Sequence, residues 1–110
     1  LRQICLHVMQ HSECARYIAD EKVLQRRETA DRLAKEYGAE GIIYEQMKYC
    51  DYWGFERALA SHIMHDEYGW PVLSIDRLYN NGNSGQLRTR VQAFVESLEI
   101  KRIHKEEGKA

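Results

Sequence analysis

Cys50 stands within Tyr44-Glu45-Gln46-Met47-Lys48-Tyr49-Cys50-Asp51-Tyr52-Trp53-Gly54-Phe55-Glu56. This stretch follows a short apolar run, Gly41-Ile42-Ile43-Tyr44, that reads as a buried strand, and it precedes a helical pattern that begins near Glu56. The thiol is therefore expected in the crossover just past the carboxyl end of a strand, where open α/β sheets bind their ligands. Three chemistries are open to it. As a nucleophile it needs a base, and His62 and His65 lie on the following helix without a recognised catalytic spacing. As a metal or cluster ligand it needs partners, and the chain has no Cys-x-x-Cys. As a packed, inert residue it needs nothing, since free cysteines are often buried. The flanking Tyr49, Tyr52, Trp53 and Phe55 would either shield a redox centre from water, which tunes its potential, or serve as packing.

A second candidate is Tyr79-Asn80-Asn81-Gly82-Asn83-Ser84-Gly85, a loop by composition, followed by Gln86 and by Arg88 and Arg90. Asn83, Ser84, Gly85 and Gln86 lead into a helix whose free N–H groups favour an anion, and the two arginines offer forked hydrogen bonds. No Gly-Lys-Ser/Thr follows, so it is not a phosphate-binding loop of the Walker type. A tight turn with a helix cap accounts for the same residues, Asn83 and Gln86 having the spacing of a capping box. His7 and His11 sit four apart but lack the Glu and the third ligand of a zinc site. They read as surface residues.

These groups need elements to hold them. From Asp20 the residues Val23, Leu24, Ala30, Leu33, Ala34 and Tyr37 fall mostly on one helical face, and Gly38 suits the C′ position. A strand is expected over 41–46. A helix follows over 55–67, with Phe55, Leu59, Ile63 and His62 inward and Gly69 at its end. The second strand covers Trp70 to Asp76, with Pro71 at its start. A last helix runs from about Gln86 to Ile100, with Leu87, Val91, Phe94, Val95 and Leu98 on one face. Residues 1–20 read as a weak helix or a frayed end, and 101–110 as a frayed charged tail. Strand–helix–strand implies a parallel pair. Two strands are few where about 4–6 are common, so the fold class is α/β: a flavodoxin-like, three-layer fragment of a larger domain, spanning 21–100. Both strand-to-helix loops then lie at one sheet edge.

The 110 residues suffice for one domain with a modest core. Sixteen basic against seventeen acidic residues exclude the basic excess of a general nucleic-acid binder. No apolar run approaches the ~18–20 residues of a membrane helix. The first residues are too short and mixed for a signal peptide. Three cysteines at irregular spacing, Cys5, Cys14 and Cys50, make a poor disulfide framework and suit a reducing, cytoplasmic setting.

Residues 41–51, then Trp53-Gly54, then Asn83-Ser84-Gly85-Gln86-Leu87-Arg88-Thr89-Arg90-Val91-Gln92-Ala93-Phe94-Val95-Glu96, resemble the C-terminal region of the 2-hydroxyacyl-CoA dehydratase and benzoyl-CoA reductase family, of the D-component, iron–sulfur type. The likeness covers roughly 21–100, and Leu78 stands where it leads one to expect Pro. It implies flavodoxin-like domains, a four-iron four-sulfur cluster held by three cysteines, and Cys50 as the last of these. The other two would lie in an earlier domain, Cys5 and Cys14 not being alignable with them. It also implies a second homologous subunit and an ATP-hydrolysing activator that injects a low-potential electron. The electron passes to an acyl-CoA thioester, and the ketyl radical so formed allows water elimination or ring reduction. Two alternatives remain: a double-cubane-type reductase of small molecules, and a non-enzymatic flavodoxin-like module that binds an anion.

Overall fold

The computed structural model describes residues 1–16, 20–80 and 84–109. Its elements run α1 (Arg2–His11), α2 (Asp20–Glu36), β1 (Ile42–Met47), α3 (Asp51–Asp66), β2 (Val72–Arg77) and α4 (Ser84–Glu107). β1 and β2 pair in parallel, from Ile42 opposite Val72 to Met47 opposite Arg77. Side chains alternate along a strand. Ile42 and Tyr44 therefore share a face, and there they pack with Ala60 and Met64 of α3. Ile43 points the other way, and Phe94 of α4 comes up against Gly41 at that strand's start, where an added Cβ would lie 2.8 Å from the ring. The result is helix, sheet, helix: the expected three-layer α/β fragment.

Helix ends follow their sequence signals. Gly38 has φ +64°. Its N–H donates to the Lys35 carbonyl and that of Ala39 to the Ala34 carbonyl, which is a Schellman closure of α2. Gly69, at φ +75°, lets the chain reverse after α3 so that the Trp70 N–H reaches the Met64 carbonyl. The Trp70 indole N–H donates to Asp31 at 2.8 Å, tying this turn to α2. With Lys35, the stronger influence, that bond holds the Asp31 carboxyl below the ordinary carboxylate range.

Helix faces depart from the expectation. Phe55 is 72% exposed and Leu59 40%, and His62 is exposed. The buried stripe of α3 is Glu56, Ala60 and Met64. On α2 the buried residues are Arg26 and Ala34, with Ala30 against the core, while Leu24, Leu33 and Tyr37 face out. Between the helices is an ion pair: Arg26 meets Glu56 at 3.1 Å, each side chain 6% exposed. The pair lies on the same inner stripes as Ala30, Ala34, Ala60 and Met64, and Leu24, Phe55 and Leu59 fall on other faces.

Two boundaries also move. α3 begins at Asp51 rather than near residue 55, because Tyr49 takes φ +72° and reverses the chain in three residues. α4 runs through the charged segment to Glu107, whose Lys, Arg and Glu residues are good helix formers. Residues 2–11 form a helix with no buried residue, anchored where Lys22 donates to the Gln10 carbonyl at 2.7 Å. His7 and His11 stack there on the surface, 4.1 Å between ring centres.

Candidate functional site

β1 and β2 end side by side, and the Lys48 N–H continues the ladder by donating to the Arg77 carbonyl at 2.8 Å. Both strand-to-helix connections therefore leave from one sheet edge. The first is only Lys48-Tyr49-Cys50. Cys50 is the N-cap of α3, with φ −92° and ψ 89°, and its side chain makes no capping hydrogen bond. Its N–H donates to the Met47 carbonyl at 3.2 Å. Its carbonyl accepts from the Gly54 N–H at 2.9 Å and from Gln46 Nε2 at 3.2 Å. The backbone groups of Cys50 are thus engaged while the half-buried thiol has no capping duty.

The aromatics beside it divide. Trp53 packs against Tyr44, with 6.5 Å between ring centres, and its indole N–H donates to the Glu45 carbonyl at 2.6 Å. Tyr49, Tyr52 and Phe55 are 89%, 50% and 72% exposed, so among the described residues they do not enclose the thiol. Tyr52 meets Arg16, whose guanidinium carbon lies 5.7 Å from the ring centre.

Next to this turn the second connection bounds a cavity of about 140 Å³, lined by Lys48, Asp76, Arg77, Asn80, Ser84 and Gln86 among others. Ser84 and Gln86 line it, Gly85 does not, and Asn83 lies outside the described residues with the rest of 81–83. Cys50 is not in its wall; Lys48, two residues earlier, is. Lys48 stands 3.7 Å from Asp76, Arg77 pairs with Glu45, and Arg90, also in the wall, donates to the Ser74 carbonyl at 2.8 Å. Three cations against the carboxylates of Asp76 and Glu45, beside the start of α4, leave a positive excess that suits a small anion. Lys48 and Arg77 are not a pattern in the sequence; the register sets Met47 opposite Arg77 and so brings Lys48 beside it. Among the described residues no three His, Cys, Asp or Glu side chains come together to hold a metal ion. The Cys50 thiolate is by its chemistry a suitable single donor to an iron–sulfur cluster. No helix of the described residues is long and apolar enough to cross a membrane.

The profile of the family described as 2-hydroxyglutaryl-CoA dehydratase, D-component, matches residues 1–98, and so takes in the first twenty residues as well. The chain is 27% identical over 74 residues to the Escherichia coli strain K12 protein named "Putative dehydratase subunit YjiM". That alignment covers 67% of this chain and 19% of the relative, so the chain spans about a fifth of its length. No solved structure gives a significant match.

Proposed function

Because the chain belongs to the 2-hydroxyglutaryl-CoA dehydratase D-component family, we propose that it is part of the iron–sulfur subunit of an activator-dependent acyl-CoA dehydratase. Cys50 supplies one thiolate to a four-iron four-sulfur cluster, and the remaining ligands come from outside this chain. One observation carries this: the Cys50 thiol sits at the carboxyl edge of the parallel sheet, on a residue whose backbone is fully bonded and whose side chain is not used as a cap. When bound, the cluster supplies a low-potential electron for the thioester carbonyl. This chain's own groups do the rest: Cys50 holds, Trp53 covers one side of the turn, and the cavity of Lys48, Arg77 and Arg90 attracts a negatively charged part of the substrate. A second homologous subunit and an ATP-hydrolysing activator complete the system, which works in the cytoplasm. Both the family description and the relative's name say dehydratase, which supports loss of water over ring reduction.

The test is anaerobic iron–sulfur reconstitution of the subunit that carries this sequence, wild type beside Cys50→Ser. The expected outcome is loss of most iron and of the thiolate-to-iron absorption in the variant. Equal iron in both would demote Cys50 to packing. The basic cavity alone would then support the second reading, an anion-binding module, which predicts phosphate binding that Cys50→Ser leaves untouched.

A further inference from the structure

We propose that Gln46 is a positioning residue for the Cys50 thiol, an inference that rests on Cys50 being the cluster ligand. Gln46 ends the run Ile42, Tyr44, Gln46 on the face of β1 that meets α3. The first two are apolar and fill the core. The third lies beneath the first turn of α3, where an apolar side chain would leave the helix's first carbonyl with one partner. Instead Nε2 donates to the Cys50 carbonyl at 3.2 Å, the same oxygen that accepts from the Gly54 N–H at 2.9 Å. A carbonyl has two acceptor sites, and here both are filled, one from the strand and one from the helix. With the Cys50 N–H held by Met47, both torsions of Cys50 are fixed. The Cα–Cβ bond then has one direction, and only χ1 is left to the thiol.

Gly54 makes room for this arrangement. A Cβ at that position would lie 2.7 Å from Gln46 Nε2 and 3.3 Å from its Cδ and Oε1. The obstacle is the far end of a flexible side chain, so the added methyl would evict the amide and leave the helix standing. Glycine inside a helix is unfavourable relative to alanine, and here the amide of Gln46 accounts for it. Groups that orient a metal ligand without touching the metal alter affinity about 10–100-fold when removed.

The experiment uses the subunit that carries this chain, loaded anaerobically, with five variants: Cys50→Ser, Gln46→Met, Gly54→Ala, Gln46→Ala, and Gln46→Ala combined with Gly54→Ala. Methionine keeps the length of glutamine and loses the donor. Gln46→Met is expected to weaken cluster retention under chelator challenge by about 10–100-fold, with a changed electron paramagnetic resonance spectrum and shifted reduction potential, at nearly unchanged melting temperature. Gly54→Ala should do the same, and the double variant should retain the cluster no worse than Gln46→Ala alone, prepared beside it as its reference. If Cys50→Ser loses its iron while Gln46→Met and Gly54→Ala keep wild-type retention, spectrum and potential, the positioning role is wrong and the ligand reading stands. If Cys50→Ser keeps its iron, both fall together. Should Gln46→Met fail to fold, Gly54→Ala decides alone, since it removes the same hydrogen bond without touching the strand.

Discussion

Tyr49 holds φ +72° with its side chain 89% exposed. A side chain in the left-handed region costs roughly 1–2 kcal/mol in the native state, and a ring in water recovers little of that by packing. Tyr49→Gly removes the strain but gives the unfolded chain more freedom to lose, so it is expected to stabilise the fold by up to about 1 kcal/mol. Urea denaturation of the two proteins checks this; a lower midpoint for glycine would mean that the exposed ring makes a contact the backbone argument omits. The same residue explains how Cys50 reaches its position. Reversal at Tyr49 shortens the connection to three residues and delivers Cys50 to the helix cap. The location of Cys50 past a strand was legible from the apolar run before it. Its bonding was not, because Gln46 reads as one more polar strand residue until the pleat aims it at α3.

At the level of elements, α2 and α3 join through Arg26 and Glu56. Two charges taken out of water are costly to desolvate and are held by their pairing, so removing one partner leaves a buried charge and costs about 3–5 kcal/mol. Replacing both by well-packed apolar residues is often neutral or favourable. Arg26→Met is therefore expected to lose a large share of a stability that for one domain is about 5–15 kcal/mol in all. The combination with Glu56→Leu should regain most of the loss. Additive losses across this double-mutant cycle, read by chemical denaturation, would show that the two side chains act independently. The pair also explains which parts of the fold sequence patterns carry. Helix ends were legible because Gly38 and Gly69 occupy backbone conformations that few other residues tolerate. Helix faces were not. A helical pattern assigns charge outward and Phe55 or Leu59 inward, whereas a matched pair thirty residues apart reverses that assignment. The cavity beside the second connection was legible only through Ser84 and Gln86, since Lys48 and Arg77 come together through strand register.

For the whole molecule, two strands and one small cluster set the scale. The radius of gyration is 16.7 Å, against about 13 Å for a compact chain of about 100 residues. Among the described residues both strands are edges, and α1 and α4 bury no residue fully. Cooperative stability therefore rests on few side chains, and Tyr44 is central to them: 8% exposed, between Met64 and Ala60 of α3 and beside Trp53. Burial pushes its phenol above the ordinary value of 10.0, with the Glu56 carboxylate adding to the rise and Arg27 opposing it. The sign of the linkage follows. Below pH 10 the phenol is neutral in both states and titration contributes nothing. Above that the unfolded chain ionises first, and stability falls as pH rises toward the higher folded value, by at most about 1.4 kcal/mol per pH unit. Tyr44→Phe keeps the ring and removes the titration. Its unfolding free energy is expected to stay close to wild type at pH 7–9 and to decline less steeply between pH 10 and 12. The two proteins differ only in this one hydroxyl, so the difference between the two curves isolates Tyr44. Parallel curves across that range would mean that Tyr44 ionises in the folded state as readily as in water, and that the layer between α3 and the sheet opens to solvent before the chain unfolds.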